Sequence, residues 1–160
     1  MKAIYAGSFN PIHSGHLDII RRAAKTFEEV LVLVCDNSAK TYKVSADQRM
    51  RLINVAIKSC CLPSNVSAGI LPSGMAVGQY AEKEGYNILV RGIRSGVDLQ
   101  MEMEIAAVNR TLGIDTIFFP TKAPYSTISS STIRECVKYN IPVTQWLTPG
   151  VAEKVEKLYV

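Results

Sequence analysis

Only two histidines occur in the 160-residue chain, His13 and His16, three apart in the stretch G-S-F-N-P-I-H-S-G-H at residues 7–16. The stretch follows a short apolar run, breaks at Gly7 and turns through Asn10-Pro11. It restarts at Ser14-Gly15 as a helical pattern, with Leu17, Ile20, Ala24 and Phe27 at three- and four-residue intervals. Strand, tight loop and helix are thus expected, with both imidazoles at the helix entrance. Unpaired backbone N–H groups and the positive end of the peptide dipole make such an entrance attractive to phosphate. Two imidazoles there make a phosphate site that could also do chemistry. Binding of a metal by His13, His16 and Asp18 ranks well below this, because no Cys pair or H-E-x-x-H helix completes a shell.

Other residues suited to anions follow other apolar runs. Gly7 lets a ligand approach the backbone, and Ser8 adds a hydroxyl and an N–H at the same point. Arg91 and Arg94 bracket Gly92, and guanidinium forks match phosphate oxygens as lysine cannot. An ion pair with Asp98, one turn on, is the plain alternative for Arg94. Arg91, directly behind an apolar strand, needs a partner. Ser129-Ser130-Ser131 at a helix start offers hydroxyls and free N–H groups, or simply an N-cap. Glu102 and Glu104 read as solvated charges, and Tyr125 as packing or a surface for a purine.

The elements that must carry these residues alternate. Strands are expected at Lys2 to Gly7, Val30 to Cys35, Val66 to Leu71, Asn87 to Arg91 and Asp115 to Phe119. Helices are expected at Gly15 to Phe27, from Ser45, at Met75 to Glu84, at Val97 to Leu112, from Ser129, and over the tail from Thr148 to Leu158. Ser45 with Gln48 forms a capping box for a helix whose apolar face is Met50, Ile53, Val55, Ala56 and Ile57. Asp36 to Val44, which carries Lys40 and Lys43, reads as a loop. Alternating strands and helices imply one α/β domain over residues 1–160, a Rossmann-like, doubly wound, five-stranded parallel sheet. Its ligand site would lie at the strands' carboxyl ends where the strand order reverses. The histidine loop, the Lys40 loop, Arg91 to Arg94 and the serine run all follow strands, so they should converge on one edge.

Composition sets the bounds. A 48% apolar fraction and a net charge of +4 with no basic block fit a soluble globular protein and give no reason to expect nucleic acid. Cys35, Cys60, Cys61 and Cys136 form no C-x-x-C and read as reduced thiols. No leader or bilayer-spanning segment is evident, so no membrane association and a cytoplasmic location are expected. The chain lacks G-x-x-x-x-G-K-[ST], G-x-G-x-x-G after the first strand, and G-x-S-x-G. An inventory of phosphate-binding groups without a covalent nucleophile fits nucleotidyl transfer by positioning and charge stabilisation.

The stretch at residues 7–16, R-G-I-R at 91–94 and I-S-S-S-T-I-R at 128–134 together resemble the nucleotidyltransferase superfamily marked by H-x-G-H and an ISSS-type run. Their spacing, and the helix from Asp98 to Arg110 after R-G-I-R, look most like the bacterial phosphopantetheine adenylyltransferases, over essentially the whole chain. The resemblance implies a hexamer of Rossmann-like subunits that converts ATP and 4′-phosphopantetheine, with Mg²⁺, to dephospho-coenzyme A and pyrophosphate in coenzyme A biosynthesis. It implies that Ser8 and Phe9 contact ATP, Ser8 also the pantetheine phosphate, and that His16 stabilises the transition state. It assigns Lys40, Val77 and Arg91 to phosphopantetheine, with Lys40 and Arg91 sharing the catalytic work. It places Gly92, Ile93, Arg94, Glu102, Tyr125, Ser126, Thr127, Ile128, Ser129, Ser130 and Ser131 around ATP. Ser8 stands where the family usually has threonine, Asn10 where it has aspartate, and Val77 where it has a longer aliphatic. A nicotinate or nicotinamide mononucleotide adenylyltransferase and a non-catalytic ATP-binding regulator are the alternatives.

Overall fold

A computed structural model describes residues 1–37 and 41–159. Its five strands are β1 (Lys2–Gly7), β2 (Glu29–Val34), β3 (Val66–Ile70), β4 (Ile88–Ile93) and β5 (Asp115–Pro120). Six helices accompany them: α1 (Ser14–Thr26), α2 (Ala46–Ser59), α3 (Val77–Lys83), α4 (Gly96–Arg110), α5 (Ser130–Lys138) and α6 (Pro149–Tyr159). The expected elements are all present, with ends shifted by at most two residues. A 3-10 turn at Ala123–Tyr125 was not foreseen.

All strand pairs are parallel, in the order β3-β2-β1-β4-β5. The chain winds outward from β1 to β3, then returns to place β4 on the other side of β1. The order therefore reverses between β1 and β4, which opens a crevice at their carboxyl ends. Gly7 ends β1 there, and Arg91, Gly92 and Ile93 end β4.

Side-chain alternation along the strands builds two cores. Ala3, Tyr5, Val30, Val32, Val34, Ile88 and Val90 face one way, against Leu17 and Ile20 of α1, Leu52 and Ile53 of α2, Ile133 of α5 and Val155 of α6. Ile4, Ala6, Leu31, Leu33 and Leu89 face the other way, with Ala81 of α3 and Ile114. Burial on both faces explains why these strands are continuous apolar runs in sequence. The expected capping box on α2 is present: Gln48 N–H donates to Ser45 Oγ at 3.2 Å and Ser45 N–H to Gln48 Oε1 at 2.9 Å.

Two boundaries differ for identifiable reasons. The β4 strand runs past Arg91 because Gly92 and Ile93 pair with Phe119 and Pro120 of β5. The α3 helix begins at Val77, where Gln79 Oε1 accepts the Ala76 N–H at 3.0 Å. All four cysteines are free thiols. No helix among the described residues is long and apolar enough to cross a membrane.

Candidate active site

The crevice between β1 and β4 is a cleft of about 310 Å³ whose walls include Gly7, Ser8, Phe9, His13, His16, Arg91, Gly92, Arg94, Glu102, Tyr125 and Ile128 to Ser131. Most of the sequence-predicted residues thus meet at one rim. Lys40 lies outside the described residues. Val77 does not line the cleft: it starts α3 and, partly buried, packs against the second core. Ile93 is bound into the β4–β5 ladder, and neither it nor the exposed Ser126 and Thr127 reach the cleft wall.

The β1–α1 loop is built to hold imidazoles. His13 is the extended N-cap of α1, and its backbone N–H donates to His16 Nδ1 at 3.3 Å. That bond leaves the His16 proton on Nε2. The two rings stack at 3.7 Å, and the Phe9 ring meets His16 edge-on at 5.0 Å. Gly15 permits this stack, because a Cβ there would come within 3.1 Å of the His13 ring. Burial, reinforced by the Arg94 charge, pushes the His13 pKa down to about 4. Burial, then the neighbouring His13 and Arg94, hold His16 well below its ordinary value. Both rings are neutral at pH 7, and His16 presents one N–H donor. The helix entrance offers less than expected, since Trp146 O accepts both the Ser14 N–H at 2.9 Å and the Ser14 hydroxyl at 2.7 Å.

The partner that Arg91 required is Glu102 on α4. Arg91 Nε and Nη2 donate to the two Glu102 oxygens at 2.5 and 2.6 Å, and Nη1 donates to Ala6 O at 2.9 Å. Burial works against this charge, but the bonded Glu102 carboxylate outweighs it and raises the Arg91 pKa. A guanidinium has five N–H groups, so two remain for a ligand. Glu102 is therefore not the solvated charge its helix pattern suggests. Arg94, at the rim, makes the ion pair with Asp98 at 3.1 Å that its spacing allowed.

The serine run fills both of its expected roles. Ser129 caps α5, accepting the Thr132 N–H at 3.1 Å, while the Ser130 hydroxyl donates to Pro11 O at 2.9 Å. The Ser131 hydroxyl bonds that of Ser129 at 2.9 Å and is exposed at the rim. Sequence reasoning did not single out Arg134, which lines the cleft one helical turn after Ser130 and donates to Asn10 O at 2.6 Å. Its spacing of four from Ser130 was the available signal. Tyr5, Ile19 and Thr121 also line the cleft. Asp18, a candidate metal ligand in sequence, is engaged by Lys122 at 2.9 Å and Arg22 at 3.1 Å. No group of three or more metal-ligating side chains occurs among the described residues.

A neutral imidazole donor, three arginines and a capped serine helix around one crevice suit a polyphosphate that reacts without a covalent intermediate. The cytidylyltransferase-like family model matches residues 4–136. A phosphopantetheine adenylyltransferase from Micrococcus luteus is 41% identical over 84% of this chain and 83% of its own length. One from Thermotoga neapolitana is 36% identical over 99% of this chain and 97% of its own length. Among solved structures, nicotinic acid mononucleotide adenylyltransferase from Plasmodium falciparum, complexed with NaAD, superposes with a TM-score of 0.74. That match covers 99% of this chain and 96% of the other at 16% identity, a likeness of fold. With the family model matched over residues 4–136 and this degree of identity across nearly its whole length, the chain belongs to the phosphopantetheine adenylyltransferase family.

Proposed function

We propose that the protein transfers the adenylyl group of ATP to 4′-phosphopantetheine, giving dephospho-coenzyme A and pyrophosphate. The observation that carries this is the meeting of His16, Arg91, Arg94 and the 129–131 serines in one cleft at the reversal of strand order. An acceptor phosphate oxygen attacks the α-phosphorus in line; its new P–O bond forms as the bond to the bridging α–β oxygen breaks, and pyrophosphate leaves. The attacking group is already an anion, so no general base is required. Repulsion between two anions is the obstacle. The two unused N–H groups of Arg91, and Lys40, offset it on the acceptor side, while Ser8, Phe9, Arg94 and the α5 entrance hold ATP. His16 donates its Nε2 proton in a hydrogen bond to the crowded α-phosphate. A neutral donor serves here because the bond strengthens as charge builds on the phosphoryl oxygens.

Mg²⁺ enters this proposal as the companion of ATP. Among the described residues Glu102 is the only carboxylate on the cleft wall and Arg91 already holds it, so they do not build a cage for the ion. A metal that keeps most of its waters and binds through substrate phosphates suits such a lining. Assembly into a hexamer and residence in the cytoplasm complete the proposal. Support for assembly comes from α4, where Val97, Met101, Met103, Ile105 and Val108 are each at least half exposed. Sedimentation at micromolar concentration reads the assembly, and a monomer would overturn it. Pyrophosphate release with ATP and 4′-phosphopantetheine, against nicotinate mononucleotide as acceptor, tests the reaction. Turnover confined to nicotinate mononucleotide would overturn the assignment.

A further inference from the structure

Arg49, on α2, is the largest fully buried side chain among the described residues and contributes nothing to the cleft wall. Its guanidinium gathers three segments. Nε donates to Val44 O at 3.1 Å, Nη1 donates to Ser8 O at 2.6 Å, and Nη2 pairs with the Asp36 carboxylate. The Tyr42 ring lies 4.4 Å from its central carbon. A buried arginine needs partners, but a carboxylate and any nearby carbonyl would have met that need. The Ser8 carbonyl belongs to the loop that lines the cleft.

The peptide joining Ser8 to Phe9 is trans, so its C=O and N–H point in opposite directions. Arg49 draws the carbonyl inward, to the side of the loop away from the cleft, and this turns the Phe9 N–H outward. That N–H has no acceptor among the described residues, although Phe9 is buried. Orphaned amides of buried residues are rare. Phe9 also sits at φ 43, in the left-handed region that a bulky side chain avoids. Such a backbone persists only when its surroundings over-determine it. The Phe9 ring is wedged between Tyr5 and His16, and Arg49 grips the preceding carbonyl.

We propose that Arg49 is a positioning residue for nucleotide binding: by holding the Ser8 carbonyl inward it fixes the Phe9 N–H towards the cleft as a ready donor to a phosphate oxygen of ATP. This rests on the reading of the cleft as an ATP site, but not on the identity of the acceptor. Lysine at position 49 keeps the charge yet cannot span Ser8, Val44 and Asp36 at once.

The test uses ATP alone, by titration calorimetry, beside a thermal melt. Arg49→Lys is expected to lower Tm and, at a temperature where it is fully folded, to bind ATP about tenfold more weakly than the unaltered protein. A lower Tm with unchanged ATP affinity would assign Arg49 a structural role only and overturn the proposal. If Arg49→Lys does not fold, hydrogen exchange on the unaltered protein decides. Saturating ATP is expected to slow exchange of the Phe9 amide at least tenfold, and no slowing overturns the proposal. A protein that binds ATP in this way but fails to adenylylate 4′-phosphopantetheine would overturn the proposed reaction and leave the role of Arg49 standing.

Discussion

The two neutral histidines should make the fold sensitive to mild acid. His13 is buried, stacked on His16 and without a partner for Nδ1 among the described residues. In the unfolded chain it takes up a proton near pH 6.5, whereas in the fold it does so only near pH 4. Between those values the unfolded state binds more protons, so stability falls as pH falls through that window and is level for this group on either side. A shift from 6.5 to about 4 corresponds to ~3 kcal/mol in all, of which ~2 kcal/mol is lost between pH 7 and pH 5. His16 is shifted in the same direction and adds to the loss. The paired carboxylates Asp18, Glu28, Glu29 and Glu153 are shifted downward and remain ionised in the fold at pH 5, so they do not mimic the effect. For a chain of this length the His13 share lowers Tm by about 4–8 °C. Melts of the unaltered protein and of His13→Asn at pH 7 and pH 5 isolate it, because the comparison is of slopes rather than of absolute stability. A His13→Asn protein that loses as much stability over that interval as the unaltered one would refute the reasoning.

Three further outcomes follow from the cleft. His16→Ala removes the donor to the α-phosphate and should lower kcat by ~10²–10³ while ATP affinity, measured by titration, stays within a few-fold; near-normal turnover would remove His16 from the mechanism. Glu102→Gln keeps the volume but loses the charge that holds Arg91 in its bidentate grip, so kcat/KM for 4′-phosphopantetheine should fall about tenfold in steady-state assays; an unchanged value would show that Arg91 needs no such holder. Tyr159→Phe removes the hydroxyl that donates to Asn10 Oδ1 at 2.6 Å and should cost ~1–3 kcal/mol in denaturant unfolding, since Asn10 is buried.

What the sequence revealed and what it concealed divide along a physical line. Strands buried on both faces must be apolar at every position, so β1, β2 and β4 stood out, and helices between them required parallel pairing. The position of the cleft followed from that topology before any side chain was placed. Arg91 at the end of an apolar run demanded a partner, and the demand was correct. The partner itself was hidden, because Glu102 is eleven residues away on another element and nothing in its helix marks which face turns inward. Arg49 shows the limit more sharply. Arg49 and Arg51 flank Met50, and the residue types alone do not tell them apart. The structure buries Arg49 and exposes Arg51. A signal existed: Arg49 falls three, four and seven residues before Leu52, Ile53 and Ala56, all of them buried, so it stands on the apolar stripe of α2. Val77 is a different case. Its assignment came from resemblance at a single position, and the helix start at residue 77 packs that side chain against the second core.

Polar side chains on three helices around the cleft share one task. The β1–α1 loop must keep Phe9 in a left-handed conformation, which costs on the order of 1–3 kcal/mol and would relax if the loop were held only by its own contacts. It is held by other elements at three of its residues: Arg49 on the Ser8 carbonyl, Arg134 on the Asn10 carbonyl, Tyr159 on the Asn10 side chain, and Ser130 on the Pro11 carbonyl. These donors come from α2, α5 and α6, elements far apart in sequence that share one face of the sheet. The asparagine at residue 10 suits this arrangement. A neutral amide oxygen can accept the Tyr159 hydroxyl in a buried setting without the desolvation cost of a carboxylate. The geometry of a loop that handles charged phosphates is thus set by donors from three other helices, with Arg49 and Tyr159 outside the cleft wall and Ser130 and Arg134 on it.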